Sequence, residues 1–270
     1  MNKVGPDLKL AHLFLAKSRL RKKRSDYVLK AIQIQTYVGC NYSCPFCPLG
    51  KQRVQLFNGA QNGYKMEFFI IKSLAQQLGR LKFKGRISPD MGEPLLDDRL
   101  PDILSCIKEE CPDSFIFIQT NGLLLTEKLT LALIKSGADE IYVNDYTQDG
   151  SVYSRVSSFL SRRSRKHITI ERRSLRERLS NLAGNIYPAL EKPLNISCIR
   201  PFQDMFIAYN GKAILCCQDW RYSEIMGDVC KEGLLDIWNN KYYDQIRRNL
   251  LVSGRKNNAL CSKCDFSGLW

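Results

Sequence analysis

From residue 31 the chain alternates short runs rich in β-branched and aromatic residues with longer segments whose apolar positions recur at helical spacing. That alternation predicts parallel βαβ units. Strands are expected at Ala31 to Tyr37, Arg86 to Ser88, Ser114 to Gln119, Glu140 to Asn144 and Ile168 to Arg172. Helices are expected between them at Met66 to Gly79, Leu100 to Glu110, Thr126 to Ser136 and Ser151 to Ser164. Several predicted strand ends run into polar or glycine-containing turns: Gly39-Cys40, Gly92-Glu93-Pro94, Thr120-Asn121-Gly122 and Asn144-Asp145. Parallel α/β folds place their chemistry at such carboxyl ends. The length before residue 195 holds five or six units, so the expected fold class is α/β with a partial (β/α)6-type barrel rather than a closed eight-stranded one.

Both ends of the chain depart from this pattern. Residues 8–24 set Leu10, Leu13, Phe14 and Leu20 against Lys9, Lys17, Arg21 and Arg24. This is an amphipathic helix that either packs across a barrel end or touches an acidic membrane surface. After Pro193, cysteines, Gly211, Gly227 and aromatic residues dominate. A 20-residue helical stretch with Trp238, Tyr242, Tyr243 and Ile246 then precedes Cys261 and Cys264. The expected organisation is a basic N-terminal segment over 1–30, a barrel over 31–195 and a small α+β domain over 196–270.

Composition narrows the function classes. With 270 residues and 44% hydrophobic content the chain can bury a sizeable core. No run approaches the roughly 20 apolar residues of a membrane span, and no secretory signal opens the sequence, so a cytoplasmic location is expected. In that compartment eleven cysteines read as metal ligands before disulfides. The formal charge of +14 implies an anionic partner, substrate or surface, or simply solvated basic faces. Regular interleaving of basic and aromatic residues is missing, so no nucleic acid is expected as a partner.

The cysteines fall into two constellations. Cys40, Cys44 and Cys47 place three thiolates within eight residues, directly after the first predicted strand. Three ligands on a four-iron cluster leave one iron open to a small molecule; zinc with a distant fourth ligand is the alternative. The second set is Cys198, then Gly211 and Cys216, then Cys261-Ser262-Lys263-Cys264. These four thiolates can converge on a second cluster or on zinc. Cys106 and Cys111 fall at a predicted helix and read as packing residues. Cys217 and Cys230 lie in the C-terminal domain, where a thiol can return hydrogen to a substrate radical or act as a spare ligand.

The CX₃CXΦC spacing of Cys40, Cys44 and Cys47, with Phe46 as the aromatic, resembles the signature of the radical S-adenosylmethionine (radical SAM) superfamily. The CX₁₂GX₄C run from Cys198 to Cys216, with the late CX₂C, resembles the SPASM/twitch domains appended to such barrels. About 230 residues are covered, and small carbohydrate-modifying members, aminocyclitol dehydrogenases among them, are the most similar. The resemblance implies a [4Fe-4S] cluster that binds S-adenosyl-L-methionine on Cys40, Cys44 and Cys47. It also implies one auxiliary [4Fe-4S] cluster on Cys198, Cys216, Cys261 and Cys264. Gly92 and Glu93 match the motif that receives the methionine amino group, with Met91 where the family has glycine. Asn121 and Asn144 stand where relatives contact the ribose or carboxylate, and Arg172 can pair with the carboxylate.

The activity implied is hydrogen abstraction by a 5′-deoxyadenosyl radical from a sugar, cyclitol or nucleotide-linked sugar. An electron-accepting cluster then gives oxidation, and a thiol such as Cys217 or Cys230 gives epimerisation. The basic patches favour a small-molecule substrate that is anionic or carbohydrate-like, with Asp145, Glu171 and Asp219 as candidate polar contacts. A flavodoxin- or ferredoxin-type protein is the expected external reductant. A peptide maturase is the rival enzyme, and a cluster-bearing RNA-binding or electron-transfer protein is the non-catalytic alternative.

Overall fold

The computed structural model describes residues 27–49, 63–177 and 179–267; the predicted helix at 8–24 lies outside them. Five strands come first: β1 (Ala31–Ile34), β2 (Arg86–Pro89), β3 (Phe115–Thr120), β4 (Glu140–Asp145) and β5 (Ile168–Arg172). Between them stand α1 (Phe68–Arg80), α2 (Leu100–Glu110), α3 (Glu127–Lys135), α4 (Ser151–Phe159) and α5 (Arg162–Arg165). The C-terminal part adds β6 (Asp204–Ile207), β7 (Lys212–Ile214), β8 (Ile225–Asp228), α6 (Leu234–Trp238) and α7 (Lys241–Val252).

One sheet runs β5-β4-β3-β2-β1-β6-β7-β8. The first six in that order pair in parallel, and β7 and β8 add antiparallel. The sixth parallel strand therefore comes from beyond residue 195: β6 lies along β1, pairing Ala31 with Asp204 and Ile34 with Ile207. β1 is buried at all four positions, as expected of a strand covered on both faces. The helices earn their places through one apolar stripe each. Ile70, Ile71, Leu74, Ala75 and Leu78 of α1 are buried, as are Leu100, Ile103, Leu104 and Ile107 of α2.

Two predicted helices are each divided. The stretch from Ser151 breaks at Leu160, which is extended, and restarts where the Ser161 side chain accepts from the Ser164 amide. The C-terminal stretch breaks before Asn240, whose side chain accepts from the amides of Tyr242 and Tyr243, both at 3.0 Å. Serine and asparagine at these positions compete with helical continuation by capping the next turn.

Because β1 to β5 are parallel, their carboxyl ends share one edge. That edge carries the loop with Cys40, the turn at 90–94, Asn121, Asn144 and Arg172. No helix among the described residues is long and apolar enough to cross a membrane.

Candidate active site

Cys40, Cys44 and Cys47 leave β1 on a tight loop, with the Cys47 amide donating to the Cys44 carbonyl at 3.1 Å. No disulfide joins any of the eleven cysteines. Burial first, and then the nearby Cys47 and Cys40 sulfurs, push the Cys44 thiol up to about 12, so the three share one locale. Phe46 is buried, its ring 5.3 Å from that of Tyr146, while the Tyr42 hydroxyl donates to the Tyr146 carbonyl at 3.0 Å. These contacts fasten the loop to the end of β4.

The turn after β2 lies against the same loop. The Glu93 amide donates to the Gly39 carbonyl at 2.8 Å. A side chain at Gly92 would stand 2.5 Å from the Tyr37 carbonyl oxygen, so only glycine permits this approach. Met91, in the family's glycine position, has φ +58°, a left-handed conformation that costs a non-glycine residue about 1 kcal/mol. Its amide donates to the Asp90 carboxylate at 2.7 Å and its carbonyl accepts from the Gln35 amide side chain at 2.9 Å. The replacement of glycine is thus absorbed by two hydrogen bonds.

Glu93 is 3% exposed. It accepts from the Thr120 hydroxyl at 2.6 Å, the Asn121 amide at 2.9 Å and the Leu95 amide at 3.1 Å. Burial raises its pKa and these three donors oppose the rise. A carboxylate has about four acceptor positions, which leaves one for an ammonium group. The Asn121 side chain reaches back to Cys40 Sγ at 3.6 Å and to Asn41 Oδ1 at 2.8 Å. Asn121 therefore joins the thiol loop to Glu93, through its side chain on one side and its amide on the other.

Asn144 is buried at the end of β4, and Arg172 sits at the exposed end of β5. The Arg172 guanidinium packs over Gly150 and donates to the Gln148 carbonyl at 3.3 Å. Neither is hydrogen-bonded to Glu93, Asn121 or the thiol loop. Two of the candidate polar contacts serve turns instead: Asp145 accepts from the amides of Thr147 and Tyr153, and Asp219 from those of Ser223 and Glu224. Glu171 pairs with Arg173 at 3.0 Å and accepts from the Tyr142 hydroxyl.

The second constellation lines one small pocket, formed by Cys198, Cys216, Cys261 and Cys264 together with Arg200, Arg255 and Phe266. Cys261 opens a short 3₁₀ turn whose first amides are capped by Asn258 Oδ1, at 2.8 Å for Cys261 itself. Burial raises all four thiols, and Cys216, Cys261 and Cys264 each also feel others of the set. Among the described residues no three histidine, cysteine or carboxylate side chains converge closely enough for a single metal ion. Four cysteine thiols lining one pocket are the soft donor set that an iron–sulfur cluster takes.

Cys217 stands beside this pocket. Burial pushes its thiol up to about 11 against the pull of Arg200, and its other neighbours are Gln218, Asp90 and Cys198. Cys230 is apart: it is exposed, beside Gly211 at the opposite end of β7 from Cys216, with Asp228, Lys212 and Lys231 for neighbours. Cys111 packs, its thiol donating to the Ala75 carbonyl.

Asp90, Arg200 and Arg255 escape a reading of the sequence. Asp90 is flanked by the charges of Arg200 and Arg86, and Cys217 also feels it, so it lies between the β2 turn and the second thiol set. Its place just before the Gly92-Glu93-Pro94 turn was the available signal. The two arginines carry no local signal in so basic a chain.

Residues 34–145 match the radical SAM superfamily, and residues 198–265 match an iron–sulfur cluster-binding domain of the SPASM type. The S-adenosyl-L-methionine-dependent 2-deoxy-scyllo-inosamine dehydrogenase of Niallia circulans is 27% identical over 244 residues, 89% of this chain and 94% of that protein. The crystal structure of BtrN in complex with AdoMet and 2-DOIA superposes with a TM-score of 0.77 at 26% identity, over 90% of this chain and 95% of that one. An open conformation of BtrN gives a TM-score of 0.68 at 25% identity, over 89% and 94%.

Proposed function

Because the chain belongs to the radical SAM superfamily and ends in a SPASM-type iron–sulfur domain, we propose that it oxidises a hydroxyl-bearing carbon of a cyclitol or sugar. Cys40, Cys44 and Cys47 hold the [4Fe-4S] cluster that binds S-adenosylmethionine, and Cys198, Cys216, Cys261 and Cys264 hold the auxiliary one. Bound there, these groups supply a 5′-deoxyadenosyl radical and a one-electron acceptor. Glu93, through its remaining acceptor position, receives the methionine ammonium. Phe46 shields the thiol loop, and Asn121 orients Cys40. Asn144 and Arg172 line the same strand-end edge, where the ribose and carboxylate would lie.

The observation that carries oxidation is the lining of the second pocket by four thiols. A cluster so ligated keeps no iron for substrate and is suited to passing an electron. Oxidation to a ketone removes one hydrogen atom, one proton and one electron from the carbinol. Asp90, between the β2 turn and Cys217, is the carboxylate placed to receive the proton. Epimerisation has one observation in its favour: Cys217 stands beside the pocket, its thiol raised by burial. Cys230, exposed at the other end of β7, is the weaker hydrogen donor. A peptide maturase has no comparable feature in its favour.

The relative acting on 2-deoxy-scyllo-inosamine makes an aminocyclitol the first substrate to assay. Anaerobic incubation with S-adenosylmethionine, a strong reductant and this aminocyclitol in deuterated water is expected to yield ketone and 5′-deoxyadenosine in equal amounts. An alcohol product carrying deuterium at one carbon would instead establish epimerisation. Cys217→Ala and Cys230→Ala are expected to retain ketone formation within about threefold; loss of turnover in Cys217→Ala would favour the thiol route. No 5′-deoxyadenosine above background across cyclitols and sugars would defeat the proposal. A flavodoxin or ferredoxin is the physiological reductant in this reading, and a cytoplasmic location goes with it.

A further inference from the structure

Arg255 is 2% exposed and lines the pocket of the second thiol set. Its Nε donates to the Ile196 carbonyl at 3.2 Å, and its Nη1 to the carbonyls of Cys264 and Phe266 at 3.4 and 2.6 Å. All three partners are neutral. Its Nη2 is buried with no partner at all. Among the described residues no carboxylate pairs with it. Asp204 is taken by Arg200 at 2.7 Å, Asp265 by Ser180 and Asn181, and Glu224 by Asn258. A guanidinium stays charged at any accessible pH, and burying one without an anion costs several kcal/mol.

The missing anion has an address. Arg255 lines the same pocket as Cys198, Cys216, Cys261 and Cys264 and is hydrogen-bonded to the Cys264 backbone, so its charge stands beside the set. Four thiolates around an oxidised [4Fe-4S] core carry a net charge of about −2, and one more on reduction. We propose that Arg255 is the counter-charge of the auxiliary cluster and, through its unpaired Nη2 donor, raises that cluster's potential so that it accepts an electron. A nearby cation stabilises the reduced, more negative state more than the oxidised one, and a donor to cluster sulfur acts in the same direction. Arg200 contributes less, because Asp204 cancels its charge. This assignment rests on the proposal that the auxiliary cluster is the electron acceptor, and gives that role its physical basis.

The test is a redox titration of the auxiliary cluster, followed by electron paramagnetic resonance, in reconstituted full-length protein without substrate. Arg255→Gln keeps hydrogen bonding and removes charge; Arg255→Lys keeps charge. The Gln variant is expected to shift the electron-transfer equilibrium at least tenfold toward the oxidised cluster, about 59 mV more negative for one electron. The Lys variant is expected to fall between it and the native protein. Gln with full iron content and an unchanged potential would overturn the proposal. Should Gln lose the auxiliary irons while Lys keeps them, the charge is required and the proposal stands. Loss in both would make Arg255 a bracket for carbonyls only, and overturn it. The potential is read without turnover, so a shifted potential in a protein inert toward every cyclitol would sink the proposed substrate class and leave Arg255 in place.

Discussion

Replacing Cys40, Cys44 and Cys47 together by alanine is expected to lower bound iron from about eight to about four per chain and to abolish 5′-deoxyadenosine formation. The three thiols have one locale, and no other described cysteine stands near enough to substitute: the raised Cys44 thiol feels Cys47 and Cys40 and no fourth sulfur. Replacing Cys198, Cys216, Cys261 and Cys264 instead is expected to remove the other four irons while leaving a slow, uncoupled cleavage of S-adenosylmethionine. The two sets lie on different elements, one behind β1 and one around β7 and the turn at 261–264. Iron assay with chromatographic detection of 5′-deoxyadenosine separates the outcomes. Retention of eight irons in the first variant, or of zinc in an active one, would refute the two-cluster assignment.

How much of this could be read before the fold was known depends on the range over which each signal acts. The thiol loop was legible because its ligands lie within eight residues and sit directly after a strand. The alternation of strands and helices was legible because β1, β2 and β4 are largely buried runs and α1 and α2 carry clean stripes. The breaks at Leu160 and before Asn240 were not, since the capping side chains of Ser161 and Asn240 interrupt stretches whose periodicity alone continues. Nor was the pairing of β6 with β1, a contact across more than 170 residues with no local trace. The same range limit hid Asp90 and Arg255. An aspartate or arginine gains meaning only from what surrounds it, and Arg255 is made unusual because no carboxylate pairs with it among the described residues. How a methionine is accommodated at residue 91 was equally hidden: Gln35 and Asp90 hold the turn in its left-handed form.

Gly92→Ala is expected to weaken S-adenosylmethionine binding at least about a hundredfold, the largest effect of any single methyl group added to this site. The added carbon would stand 2.5 Å from the Tyr37 carbonyl oxygen and 3.2 Å from that of Gly39. Both are backbone atoms, so no side-chain rotation relieves the clash. The turn must move away from the thiol loop, and with it goes the bond from the Glu93 amide to the Gly39 carbonyl. Overpacking of this kind costs about 1–3 kcal/mol, and a displacement near 1 Å in a positioning element costs about a hundredfold in function. Met91→Gly is the matching control. It relieves φ +58° while keeping both backbone hydrogen bonds, at the expense of a buried side chain, so affinity is expected to stay within about threefold even where thermal stability falls. Titration of S-adenosylmethionine into the reconstituted protein, read by perturbation of the first cluster's resonance signal, measures both. If the alanine variant binds as tightly as the native protein, the close packing of residues 92 and 93 against residues 37 to 39 does not form the methionine site, and the ammonium must be received elsewhere along the strand ends.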